Sequence, residues 1–146
     1  MINRIMKKRI TILCGSYGSG KTELALNLAM ESAKKQATVL VDLDIVNPYF
    51  RSSEKSEMLE SSGIKVLAPI FADTSVDIPS LPAEIASVFL EKDKKIIFDV
   101  GGDDTGAVAL GRYHKYFLED DYEMLMVVNV FRPFTSCPED IAELAS

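Results

Sequence analysis

Along this chain, short β-branched or apolar runs alternate with stretches in which apolar residues return every three or four positions. Ile10–Cys14 (ITILC), Thr38–Asp44 (TVLVDLD), Ile64–Ile70 (IKVLAPI), Lys95–Val100 (KIIFDV) and Glu123–Val130 (EMLMVVNV) are near-continuous apolar runs of strand length. Such runs belong to strands buried on both faces. Between them the pattern predicts helices over Thr22–Lys35, Ser52–Gly63 and Ala107–Leu118, and another opening at Ser80. In that one, Leu81, Ile85, Val88 and Phe89 share a face, and Pro82 suits a first turn. After the fifth run, Ser136 and Glu139 have the spacing of a capping box that would open a last helix. Strands separated by helices in this way predict an α/β fold with a mainly parallel sheet covered on both faces. The last helix has only one or two turns before Ser146, so the expectation is one domain over residues 1–146, C-terminally truncated.

Composition narrows the function classes. With 47% hydrophobic and 26% charged residues in 146, the chain has the make-up of an ordinary globular domain. Its net charge of −6 argues against nucleic-acid binding through general electrostatics. The basic run Asn3–Arg9 reads as a solvated lead-in to the first strand. Cys14 and Cys137 are far apart and outside paired metal spacing, as a reducing compartment permits. ITILC is too short for a signal-peptide core, and no segment nears the roughly 18 apolar residues that span a bilayer. A cytoplasmic protein without membrane contact is expected.

The chemistry begins directly after the first strand. Gly15–Thr22 (GSYGSGKT) matches G-x-x-x-x-G-K-[ST] and lies between a predicted strand and a predicted helix, the context this motif requires. Gly15, Gly18 and Gly20 supply backbone freedom and close approach. The amides from Gly18 to Thr22 form an anion nest at a helix N-terminus. Lys21 would reach the β- and γ-phosphates, and the Thr22 hydroxyl would sit on Mg2+. The expected nucleotide-binding set is Gly15, Ser16, Tyr17, Gly18, Ser19, Gly20, Lys21, Thr22 and Glu23. Tyr17 would either stack on a ligand or simply lie at the surface. Cys14 reads as a packed strand residue.

Two other strands end in carboxylates. In KIIFDVGG the apolar run stops at Asp99, where a carboxylate lies beside the metal of such sites. Asp99 to Gly102 also spells D-x-x-G, in which the Gly102 amide would bond a γ-phosphate. In VDLDIVNPYFR, Asp42 and Asp44 stand one residue apart before a loop stiffened by Pro48. Carboxylates held in a concave site need a partner, and a metal with a triphosphate would supply it.

Taken together, GSYGSGKT, DLDIVNP and DVGG resemble the MinD/ParA-like branch of P-loop NTPases, which also holds the CobQ/CobB-type proteins. The similarity runs from Ile10 to the fifth strand. It implies a three-layer P-loop NTPase fold with sheet order 3-2-4-1-5, and Asp42 and Asp44 on a first switch. One of them would hold the metal through water and the other would orient the attacking water. Thr22, Asp42 and Asp99 are then the metal set, and Lys21 and Asp44 the catalytic pair. The branch often forms nucleotide-sandwiched dimers. Ser16 stands where its signature lysine would be, so dimer-dependent hydrolysis by that lysine is not implied here.

Several residues carry less. Tyr49 and Phe50 would pack on the sheet or face a partner, and Arg51 would be solvated or reach a phosphate. Asp103 and Asp104 are expected to face solvent in preference to a bound water or a substrate, and with Arg112 they are the visible candidates for an acceptor site; no spacing assigns His114, Arg112 or Arg132 a catalytic role. The leading expectation is Mg2+-dependent binding and hydrolysis of a nucleoside triphosphate, ATP before GTP, by a nucleotide-state switch with an unidentified protein partner. The alternatives are ATP-dependent small-molecule phosphorylation or ligation of the CobQ/CobB type, and a non-catalytic nucleotide-binding interaction module.

Overall fold

A computed structural model describes residues 2–44, 53–68 and 83–146. Residues 45–51 of the expected switch loop, Pro69, Ile70 and the predicted helix start at Ser80 and Leu81 lie outside them. The apolar runs form β1 (Ile10–Cys14), β2 (Thr38–Leu43), β3 (Ile64–Leu67), β4 (Lys95–Val100) and β5 (Tyr122–Met126). They pair in parallel in the order β3-β2-β4-β1-β5, the order that the sequence resemblance implies.

Period-two alternation assigns the two faces. Ile10, Ile12, Val39, Val41, Ile96, Phe98 and Val100 face one core. That core is closed by α4 (Ala83–Val88), α5 (Asp104–Gly111) and α6 (His114–Leu118). Ile85, Val88 and Phe89 pack there as the helical stripe predicts. Phe89 stacks on Tyr116 at 4.8 Å and meets Phe117 edge-on at 5.2 Å. Leu13, Leu40 and Ile97 face the other core, under α2 (Lys21–Ala33) and α3 (Ser53–Ser61). Asp42 and Asp99 have the parity of Leu40 and Ile97, so they fall on the α2 side.

Several expectations are corrected. The predicted helix Ala107–Leu118 is two helices, α5 and α6, separated at Arg112–Tyr113. Gly111 weakens the helix there, and the break lets Tyr113 and Phe117 both reach the core. The fifth strand stops at Met126 because its partner β1 ends at Cys14; a last bond runs from the Val127 amide to the Cys14 carbonyl at 2.8 Å. The last helix, α7 (Pro138–Ala145), has Cys137 at its N-cap position with no side-chain capping bond, in place of a Ser136–Glu139 box. Pro138 fits the first helical position, and the Ser136 hydroxyl donates instead to the Pro133 carbonyl at 3.3 Å.

The basic lead-in is also more than solvated chain. Ile2–Ile5 form the short helix α1, and Ile5 and Met6 pack on the α2-side core. Arg9 pairs with Asp120 and donates to the carbonyls of Phe89 and Glu91, tying β1 to the ends of α4 and α6.

Candidate nucleotide site

The site grows from the C-terminal ends of β1, β2 and β4. β1 runs straight into the glycine loop, whose Gly18 and Gly20 have φ of 75° and 88°, a left-handed region costly for other residues. Gly20 caps α2 with no side-chain bond to the helix amides. The first amides of a helix have no intrahelical acceptor, so here they are left for an anion. The buried Ser19 hydroxyl likewise has no hydrogen-bond partner among the described residues.

In-register pairing sets Asp42 of β2 directly beside Asp99 of β4. Asp42 Oδ1 accepts from the Asp44 amide at 3.0 Å, which fixes the turn where β2 ends. Thr22 Oγ1 donates to Asp99 Oδ2 at 2.7 Å. Lys21 Nζ lies 3.5 Å from Asp99 Oδ1 and donates to Asp44 Oδ2. The structure thus brings together Lys21, Thr22, Asp42, Asp44 and Asp99, all named by the sequence. Lys21 is 5% exposed, Asp99 1% and Asp42 2%, so their charges are held by one another and by hydrogen bonds rather than by bulk water.

Burial pulls the Lys21 ammonium down, but Asp44 and Asp99 outweigh it and hold the group above its ordinary value. Burial pushes the Asp99 carboxyl up, against the pull of Lys21 and the Thr22 hydroxyl. A carboxylate under that pressure is one that a cation would stabilise.

The D-x-x-G turn closes on the loop. A Cβ on Gly102 would lie 2.4 Å from the Gly15 carbonyl oxygen and 2.8 Å from the Ser16 amide. Asp103 does not simply face solvent: its Oδ1 accepts from the Gly106 amide at 2.9 Å and caps α5. An aspartate ahead of a helical run was the readable signal for that cap.

Two cavities flank Lys21 and Tyr17. One of about 200 Å³ is lined by Ser16, Asp44, Gly101, Gly102 and Asp103 as well. The other, about 250 Å³, is lined by Gly18, Gly20, Thr22, Glu23 and Arg132 in addition to those two. Tyr17 lies at the surface, 78% exposed, and lines both. Arg132 had no sequence signal, since it lies far along the chain and reaches the loop only because β5 is the neighbour of β1. Asn129 arrives the same way, and its amide approaches the Gly18 carbonyl at 3.5 Å. Arg112 and His114 are exposed, and neither lines the two cavities at Lys21.

No group of three or more His, Cys, Asp or Glu side chains forms a metal-holding cluster among the described residues. The donors present, a threonine hydroxyl and carboxylate oxygens, nonetheless suit a hard cation such as Mg2+, which is usually held by one or two carboxylates with substrate phosphates and water. The Ser19 hydroxyl, the uncapped α2 amides and the oxygen donors all fit a nucleotide phosphate with its metal.

A glycine loop between strand and helix, a buried lysine at its end and carboxylates on the neighbouring strand ends define a P-loop nucleotide-binding domain. The chain matches the Zeta toxin family over residues 2–99, more than half its length, and belongs to that family. The family is one of P-loop, ATP-using, kinase-like domains. A search of curated proteins gave no match. No helix among the described residues is long and apolar enough to cross a membrane.

Proposed function

We propose that this domain binds ATP with Mg2+ and hydrolyses it. The observation that carries the reading is the constellation of buried Lys21, Asp44 and Asp99 with half-buried Thr22 at the mouth of the phosphate loop. Thr22, Asp99 and, through water, Asp42 would hold Mg2+, which would neutralise charge on the phosphates. Lys21 would leave Asp44 for the β- and γ-phosphates. Asp44, relieved of that ion pair, would orient the attacking water, and the Gly102 amide would bond the γ-phosphate. Phosphate release from ATP by wild type, lost in Lys21→Ala, tests this; release at the wild-type rate in the variant would sink it.

A second reading, phosphoryl transfer to a small molecule, is favoured by the kinase-like family and by the 200 Å³ cavity between Asp44 and Asp103. There Asp44 would accept the proton of an acceptor hydroxyl instead of water's. Product analysis with γ-labelled ATP separates the two: label in free phosphate supports hydrolysis, and label in an organic product supports transfer.

The same proposal takes the domain as cytoplasmic and as acting through nucleotide state on a protein partner or a second copy, without direct nucleic-acid contact. The strand order and the carboxylate-ended β2 and β4 support a place in the MinD/ParA-like branch. Ser16 in the signature position argues for hydrolysis that needs no lysine from a partner.

A further inference from the structure

Arg132 is unusual among the charged residues near the loop. The turn after β5 holds it firmly: its amide donates to the Asn129 carbonyl at 3.0 Å, and its carbonyl accepts from the Thr135 amide at 3.1 Å. Asn129 Oδ1 accepts from the Phe131 amide at 3.0 Å, closing the same turn. The side chain leaves this turn and lies on the bare Cα of Gly18. A Cβ added there would sit 2.0 Å from Arg132 Nη2 and 2.7 Å from its Cζ. Gly18 therefore serves twice, through its positive φ and through the seat it gives the guanidinium.

Among the described residues no ion pair or hydrogen bond engages that guanidinium, although acids outnumber bases in the chain, 22 to 16. A planar group with five donors, held over an anion nest, lacks only an anion. Its position says which part of a nucleotide would meet it. Arg132 shares its cavity with Gly18, Gly20, Thr22 and Lys21, whereas Asp44 and Gly102 line the other one. Lys21 lines both cavities, so Arg132 flanks the loop amides on the side away from Asp44 and Gly102, the two residues assigned to the γ-phosphate alone.

We propose that Arg132 is a diphosphate clamp: it binds the α/β-phosphate portion shared by nucleoside di- and triphosphates, and it does not act on the transferred γ-phosphoryl group. This rests on the nucleotide reading above and adds a residue outside the matched family region, residues 2–99. A contact to the portion that di- and triphosphates share changes the affinity for both alike.

The test is calorimetric titration of wild type, Arg132→Ala, Arg132→Lys and Lys21→Ala with Mg-ADP and with a non-hydrolysable Mg-ATP analogue. Charge-assisted bonds of this kind are worth roughly 10- to 100-fold in affinity, so Arg132→Ala should weaken both ligands alike by about that much. Arg132→Lys should recover part of the loss. Unchanged affinity for both ligands in Arg132→Ala overturns the clamp, and so does a loss confined to the triphosphate. A folded wild type that binds neither ligand overturns the nucleotide reading itself, and is distinguished from failure of the clamp alone by that absence of wild-type binding. Arg132 is exposed, so the variants should melt as wild type does.

Discussion

The Thr22 hydroxyl donates to the Asp99 carboxylate at 2.7 Å, joining the end of the phosphate loop to the strand beside it. The two oxygens belong to segments 77 residues apart in sequence, yet they are positioned as a pair before any cation is considered. A cation between loop and strand would take both.

Asp99→Asn tests that pairing without removing the acceptor for Thr22. The amide oxygen keeps the hydrogen bond, while the charge that would hold Mg2+ is gone. Wild type should bind the ATP analogue more tightly with Mg2+ than with EDTA, and Asp99→Asn should bind about equally in either. Persisting Mg2+ dependence in the variant would place the metal elsewhere.

Gly102 tests the closeness of the D-x-x-G turn to the phosphate loop. Alanine there meets backbone atoms of Gly15 and Ser16, which cannot swing aside as a side chain would. Gly102→Ala should cost about 1–3 kcal/mol in stability, as overpacking does. It should also weaken nucleotide binding, because the displaced partner is the phosphate loop itself. A denaturant melt and the same titration measure the two effects separately.

Most of the sheet was readable because each strand is a mainly apolar run between glycine or charge boundaries. Ile10–Cys14 and Lys95–Val100 occur with the limits that the pattern predicts. That Lys21, Thr22, Asp42, Asp44 and Asp99 lie together was readable because a glycine-lysine-threonine loop and two carboxylate-ended apolar runs mark them locally. Other features depend on tertiary context. The division of α5 from α6 reflects which aromatics can reach the core, a choice invisible to helical periodicity. The cap of α7 turned on a competition between Ser136 and Pro138 that spacing alone does not decide. Arg132 and Asn129 join the site through strand order, and nothing local marks them.

Asp120 gives a stability prediction away from the site. It is held by Arg9 and Lys92 and lies largely buried. Burial raises its pKa, but the Arg9 and Lys92 bonds outweigh that and depress it well below the ordinary 3.8. A depressed carboxylate contributes stability above its unfolded value, and that contribution is lost as pH falls toward the folded one. Asp120→Asn should therefore cost about 1–3 kcal/mol at neutral pH, and the gap to wild type should narrow as pH falls below 3.8. Thermal melts of both proteins across acid pH check this; a gap that stays constant would assign the loss to packing.

Lys21 carries opposite demands, and its removal should show both. Lys21→Met takes away the cation facing Asp44 and Asp99 and leaves two carboxylates buried together. Breaking such an arrangement from one side costs about 3–5 kcal/mol. Adding Asp44→Asn removes one of the stranded charges, so the double variant should be more stable than Lys21→Met alone. The pH dependence follows from the raised pKa of Lys21. Its contribution is complete below the unfolded value of 10.5 and is lost as pH rises through the higher folded value. The melting gap between wild type and Lys21→Met should thus be steady through neutral and mildly alkaline pH and close only above 10.5. Nucleotide binding should move the other way from stability. Asp44→Asn alone frees Lys21 from a competitor for phosphate, so it should bind the ATP analogue at least as tightly as wild type while turnover falls. Weaker binding in Asp44→Asn would mean that Asp44 positions Lys21 for the phosphates rather than competing with them.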